Sequence, residues 1–228
     1  MQETHAIAID GPVAAGKGTI ASLLSKRLNG FHLNTGAMYR CLALYCLEHN
    51  VNTQNKQEVI EALSQTRFDL DNTSVSLNGV DVTERIRKHD VNQLVPKVAA
   101  IAEVRAEMVK RQREIGLKMI EKGFVVLIDA RDAATKIFPD AKLKLFLTAR
   151  PEVRAKRRYE QMGGKNNHTI TFDQILADTN DRDYKDIHRS ASPLVSNPKE
   201  YGYVVLDNSD MTEEETVAEV MQEWEKVQ

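Results

Sequence analysis

Lys17 stands in the run Gly11-Pro12-Val13-Ala14-Ala15-Gly16-Lys17-Gly18-Thr19, directly after Ala6-Ile7-Ala8-Ile9-Asp10. A glycine-framed loop ending in lysine, with an apolar strand before it and a helical pattern after it, is the arrangement that cradles phosphate in a P-loop. Glycine lets successive backbone N–H groups turn inward, and the helix start adds a positive dipole end for anions. Lys17 would reach the outer phosphates of a nucleoside triphosphate. Gly18 occupies the position where Ser or Thr is usual, and the hydroxyl arrives one residue later at Thr19. Contact between lysine and phosphate is therefore the firmer expectation, ahead of metal coordination by that hydroxyl.

Further cations recur at helical spacing. Arg150, Arg154, Arg157 and Arg158 are separated by three or four residues and mostly share one helix face. Such a stripe is either a solvated face paired with Glu152 and Glu160 or a set of donors for phosphoryl charge. Phosphoryl transfer requires the latter, and bidentate arginine suits it. The Gly163-Gly164 pair and polar loop that follow suggest a flap beside the stripe. Arg182, Asp186 and Arg189 form a second set. An ion pair within a helix contributes only about 0.2–0.5 kcal/mol, so spacing alone leaves a structural role open for them. Arg131-Asp132 follow the apolar run Val125–Ile128 and Asp129, at the carboxyl end of a strand where open α/β sheets bind ligands. Together these are more arginines than one triphosphate needs, which points to a second anionic substrate.

The elements that must position these groups alternate. Ile20, Leu23, Leu24 and Leu28 predict a helix stopped by Asn29-Gly30, followed by an extended piece over Phe31–Asn34. A helix is expected from Ala37 to about His49, and another around Gln57–Thr66. The pattern then turns to period two through Phe68, Leu70, Val75, Leu77, Val80 and Val82, with Asn78-Gly79 as a two-residue hairpin signal. A long helical region from about Asp90 to Lys122 is expected to break once, near Pro96 or Gly116. Strands over Val125–Ile128, Leu143–Leu147 and Tyr203–Leu206 follow, with a helix from Pro151 and capping boxes at Thr171/Gln174 and Thr212/Glu215. This predicts an α/β fold: a central parallel sheet flanked by helices, a small antiparallel insert and a helical lid. The organisation expected is one domain over 1–228, with core 1–66, insert about 67–100, core 101–150, lid about 151–170 and core 171–228.

With 228 residues, 42% hydrophobic and 28% charged, the chain can bury one full core. A formal net charge of −2 gives no global basic field for nucleic acid. The polar start and the lack of a membrane-length apolar run predict a soluble, cytoplasmic protein without a leader. Cys41 and Cys46 fall on different faces of one predicted helix and read as buried free thiols. No histidine or cysteine spacing supports a structural metal site, and a monomer is expected.

Several stretches carry a resemblance over nearly the whole chain: Thr35-Gly36-Ala37-Met38-Tyr39-Arg40, Leu77-Asn78-Gly79 with Asp81-Val82-Thr83, and Val104-Arg105 with Gln112-Arg113. Arg131-Asp132, Phe138-Pro139-Asp140-Ala141, Arg182-Asp183 and Pro193-Leu194 continue it. With the P-loop, they make the chain resemble the bacterial cytidylate kinases, among the nucleoside monophosphate kinases. The resemblance implies transfer of the γ-phosphoryl group of ATP to CMP or dCMP with Mg²⁺, in pyrimidine nucleotide metabolism. It places ATP phosphates on Gly11 to Thr19 and transferred charge on Lys17, Arg131, Arg157 and Arg158. It implies that Thr35 and Arg40 meet the monophosphate, Arg105 and Asp132 read cytosine, and Arg131 approaches the acceptor phosphate. Arg182 and Asp186 would lie near the sugar, Arg189 on phosphate, and Arg154, Arg157 and Arg158 in a closing lid. Asp129 would contact the metal only through water.

The chain also departs from that family. Pro96 replaces a serine that helps read the base, Ala130 and Ala134 replace two glycines, and Asn34 sits where aspartate is common. The glycine losses matter if either site needs positive φ. They keep two other readings open: a P-loop kinase for UMP or a small metabolite hydroxyl, and a nucleotide-binding regulatory module without turnover.

Overall fold

Ala6 and Ala8 alternate with Ile7 and Ile9, so the first strand presents a small-residue face and a branched face. Each face is buried in a different core. The computed structural model describes residues 4–164, 170–188 and 192–228. In chain order it contains β1 (Thr4–Asp10), α1 (Lys17–Arg27), β2 (Phe31–Asn34), α2 (Thr35–Glu48) and α3 (Lys56–Ser64). Next come β3 (Phe68–Leu70), β4 (Val75–Leu77), β5 (Val80–Asp81), α4 (His89–Ala99) and α5 (Ala102–Glu121). The chain continues with β6 (Val126–Asp129), β7 (Ala141–Thr148), α6 (Pro151–Gln161), α7 (Phe172–His188), β8 (Val204–Asp207) and α8 (Glu213–Lys226).

Five strands form one parallel sheet in the order β2-β6-β1-β7-β8, and β3-β4-β5 form a separate antiparallel sheet. On one side, Ile7 and Ile9 pack with Leu127, Leu143 and Leu145 against Ile20, Leu24, Val220 and Trp224. On the other, Ala6 and Ala8 meet Met38, Leu42, Val104, Met108 and Phe138. Helices thus cover both faces, as a buried parallel sheet requires. Strands β6 and β7 lie on opposite sides of β1, so the chain switches direction around that strand. A crevice at the carboxyl ends follows from such a switch.

The hairpin forms as the dipeptide demands: Asn78 and Gly79 have φ of 52° and 83°, and Leu77 faces Val80. Both capping boxes are present. Thr171 N–H donates to Gln174 Oε1 at 2.9 Å, and the Thr212/Glu215 box starts α8. Cys41 and Cys46 are buried and unpaired with each other, and burial pushes their thiols up to about 12 and about 11.

One expectation is corrected and one is narrowed. Helix α2 begins at Thr35, two residues before the expected Ala37, because Asn34 Oδ1 accepts the Ala37 N–H at 3.0 Å and caps it. The long helical region breaks once, at Ala100–Ile101, which is four residues past Pro96 and far from Gly116. Pro96 lies inside α4, whose bonding continues past it through Ala100 N–H to the Pro96 carbonyl at 3.1 Å. Gly116 lies inside α5 for close packing: a Cβ there would stand 2.6 Å from Cζ of the fully buried Phe138. Among the described residues, no helix is long and apolar enough to cross a membrane.

Candidate active site

The loop after β1 leaves the strand hard against β7. Gly11 has φ of +147°, and a Cβ on it would fall 2.0 Å from the Leu147 carbonyl oxygen, so no side chain fits. The chain then passes through Ala14 at φ +58° and enters α1 at Lys17. Lys17 is buried, and its Nζ donates to the carbonyls of Gly11 at 2.8 Å and Pro12 at 2.7 Å. Burial, then the charge of Arg131, pulls this ammonium down to about 7. An anionic phosphate beside it reverses that balance and favours the charged form.

Lys17 opens on a cleft of about 580 Å³ across the carboxyl ends of the sheet. The P-loop residues Val13, Ala14, Gly16, Gly18 and Thr19 form one wall. Thr35 and Arg40 from α2, Arg131 after β6, Arg182 from α7 and Arg157 and Arg158 from α6 line the rest. Asp186 holds Arg131 by accepting from its Nε at 2.5 Å, which sets the guanidinium plane. Desolvation of its head, then the like charge of Arg131, lowers Arg182 to about 10. These cations therefore stand close enough to repel, a layout that anions relieve. Arg189 lies outside the described residues.

Arg105 and Asp132 do not line this cleft. Both are buried, and Arg105 Nη2 donates to Asp132 Oδ2 at 2.6 Å. Among the described residues the Arg105 Nε is buried without a hydrogen-bond partner, as is Gln112 Nε2 one face-repeat further along α5.

Three of the four α6-region arginines are held by separate partners, and Arg158 lines the cleft. Arg150 pairs with Asp210 in an exposed bidentate bridge. Arg154 is buried; it donates to the carbonyls of Ala149 at 2.8 Å and Val13 at 3.1 Å and pairs with Asp183 at 2.7 Å. It braces the P-loop from behind and is not a cleft residue. Arg157 donates to the Asn208 side-chain and backbone oxygens at 3.0 and 2.9 Å. Helical spacing placed these residues on one stripe, and what each meets across the fold separated them.

Three positioning groups had no motif to mark them. Asp10 accepts the N–H groups of Ala133 and Ala134 at 2.6 and 2.9 Å and the Tyr203 hydroxyl, so it seats the segment after Arg131-Asp132. Burial, partly offset by these bonds, raises its carboxyl above the ordinary range. Asn208 ties α6 to the loop: its Nδ2 donates to the Ala15 carbonyl at 3.2 Å while its oxygens take Arg157. His32 lies 2.7 Å from Asp129 Oδ1 through Nε2. A charged residue ending an otherwise apolar strand, as Asp10 and Asp129 do, was the one signal available. Ala130 and Ala134, at the lost glycines, do not have positive φ; the alanine that does is Ala14.

Comparison with known proteins bears on the family and the fold. The profile of the family described as cytidylate kinase matches residues 7–226. A cytidylate kinase from Fusobacterium nucleatum is 40% identical, covering 97% of both chains. One from Caldanaerobacter subterraneus is 41% identical over 95% of this chain and 93% of its own. A crystal structure from Thermus thermophilus, 18% identical and covering 98% of each chain, shares the fold with a TM-score of 0.50. A profile match over nearly the full length, with relatives at this identity and coverage, places the chain in the cytidylate kinase family.

Proposed function

We propose that this cytidylate kinase acts on both CMP and dCMP, with ATP as donor, as a cytoplasmic monomer. The observation that carries the reading is one cleft in which the P-loop lysine faces Arg40, Arg131 and Arg182, cations drawn from three other elements. A triphosphate on the P-loop accounts for Lys17. The opposite cations require a second phosphate, and the acceptor monophosphate is that group.

The roles follow from position. Backbone N–H groups of the P-loop and the start of α1 hold the donor phosphates. Thr35 and Arg40 bind the acceptor phosphate, and Arg131, its plane set by Asp186, aligns it toward the donor. Lys17, Arg131, Arg157 and Arg158 take up charge on the moving group, which is where preorganised cations lower the barrier. The sugar falls to Arg182 and Asp186, with Arg189 as a further phosphate contact. Arg105 and Asp132 set the base end. Their buried pair and the orphaned Arg105 Nε form a polar edge for the cytosine ring.

Among the described residues no group of three or more His, Cys, Asp or Glu could cage a metal. The donors near the P-loop, the Asp129 carboxylate and the Thr19 and Thr35 hydroxyls, are all oxygen. That set suits Mg²⁺ held by water and phosphate oxygens, with Asp129 as its outer anchor. Bound with ATP, the ion would neutralise phosphate charge.

The test is ADP release with Mg–ATP and, separately, CMP, dCMP, UMP and AMP. Turnover confined to the two cytosine nucleotides is expected. Comparable turnover of UMP or AMP would refute the base-end assignment, and ATP binding without any turnover would favour a regulatory module.

A further inference from the structure

Gly18 removes a hydroxyl from the first turn of α1 at the point where that turn meets Asp129. A Cβ built on Gly18 would lie 3.5 Å from Asp129 Oδ2, an ordinary contact, so a serine here would bring its hydroxyl to that carboxylate. In P-loop enzymes a hydroxyl and a strand-end aspartate share the phosphate-bound metal. At this position α1 contributes only a hydrogen, and its nearest hydroxyl is that of Thr19, one residue on. From the opposite side, His32 Nε2 stands 2.7 Å from the other oxygen, Oδ1. Asn34 of β2 pairs with Asp129 of β6, and His32 sits two residues back on the same face, which brings the ring into reach.

His32 is itself held. It is buried, and its backbone N–H donates to Asn72 Oδ1 at 2.8 Å, while Asn72 Nδ2 donates to the Gly30 carbonyl at 2.9 Å. Asn72 lies in the turn between β3 and β4, so the antiparallel insert clamps the free edge of β2 at this residue. Asp129 is ionised and accepts only, so the Nε2 of His32 carries the proton it donates. Thr35 Oγ1 donates to the Asp129 backbone carbonyl at 2.7 Å and holds the main chain at the same place.

We propose that His32 is a positioning residue for phosphoryl transfer: it locks Oδ1 of Asp129 so that Oδ2 faces the P-loop and the metal-bound phosphates. The role rests on the P-loop kinase reading. It assigns the two carboxylate oxygens separate tasks and makes β2 the link between insert and phosphate site. Outer partners that orient a metal-binding group typically change affinity or activity by about 10–100-fold when removed.

The experiment compares His32→Leu, which keeps the volume without a donor, with His32→Gln, whose amide can replace Nε2–H. ATP affinity is measured by calorimetry in Mg²⁺ and again in EDTA, alongside kcat and KM for CMP. In His32→Leu the gain in ATP affinity that Mg²⁺ confers should shrink about tenfold, with EDTA affinity and KM for CMP unchanged and kcat lower by about tenfold or more. His32→Gln should recover most of both losses. Adding His32→Leu to Asp129→Asn should cost under about twofold more, because the histidine acts through that carboxylate. A wild-type Mg²⁺ increment in His32→Leu, an equal loss in His32→Gln, or additive losses in the double variant would each overturn the proposal. An unmodified protein that binds ATP but never phosphorylates CMP would instead overturn the kinase reading.

Discussion

Two parts of the proposed site, the cleft at the P-loop and the buried Arg105–Asp132 pair outside its lining, are built in opposite ways. At the phosphate end, nine consecutive residues supply a loop, a lysine and a helix start, and Lys17 is bonded to carbonyls of that same loop. At the proposed base end, Arg105 on α5 meets Asp132 across 27 positions, and Asp10 on β1 holds the neighbouring backbone from 123 residues away. The first end keeps a buried cation available for an incoming anion. The second spends its charges on each other. Substitution at the phosphate end should therefore damage turnover with little effect on the fold, and at the base end the reverse order should hold.

The sharpest way to break that comparison is Lys17→Met, which keeps the stem and removes the ammonium. Burial already disfavours the charge, so the folding midpoint should be no lower than in the unmodified protein. Loss of the cation at the moving phosphoryl should lower kcat by about 10²–10³-fold or more. The pH dependence checks the same group. Its value of about 7 rises when phosphate binds, so ATP affinity is full below pH 7 and falls as pH rises, by at most about tenfold per unit. In Lys17→Met that slope should vanish. Near-normal turnover, or an unchanged slope, would remove Lys17 from the phosphate site.

The base end is tested by Arg105→Met. It leaves Asp132 buried without its partner, and breaking such a pair costs about 3–5 kcal/mol. Chemical denaturation should show that loss, and Arg105→Met/Asp132→Asn should recover much of it. Any folded protein from this series should show a raised KM for CMP with ATP affinity unchanged. A stability loss below about 1 kcal/mol would show that the pair is not the brace described here.

Legibility followed the same division. The P-loop, the Asn78-Gly79 hairpin and both capping boxes were readable because each is decided by neighbours within a few residues. The parallel sheet followed from alternation of apolar strands and helices. The sequence left the break between α4 and α5 open between the neighbourhoods of Pro96 and Gly116, because both residues look like breakers, and only the position of Phe138 shows that Gly116 is a packing glycine. The α6 arginines were legible as a stripe and illegible as separate roles. Val13, Asp183 and the Asn208–Asp210 loop, which divide them, come from three other places in the chain.

Backbone strain gives the smallest and most local contrast. The sequence directed attention to Ala130 and Ala134, yet the left-handed alanine is Ala14, in the P-loop itself. A left-handed alanine costs about 1–2 kcal/mol, while glycine in its place loses about 0.4–1 kcal/mol through the entropy of the unfolded chain. Ala14→Gly should therefore stabilise by about 0.5–1 kcal/mol and raise Tm by about 1–4 °C. Ala130→Gly, the same chemical change where φ is not positive, should destabilise by a similar amount. Paired thermal melts decide it: opposite signs place the strain at the phosphate loop, and equal signs would show that Ala14 is relaxed by its surroundings.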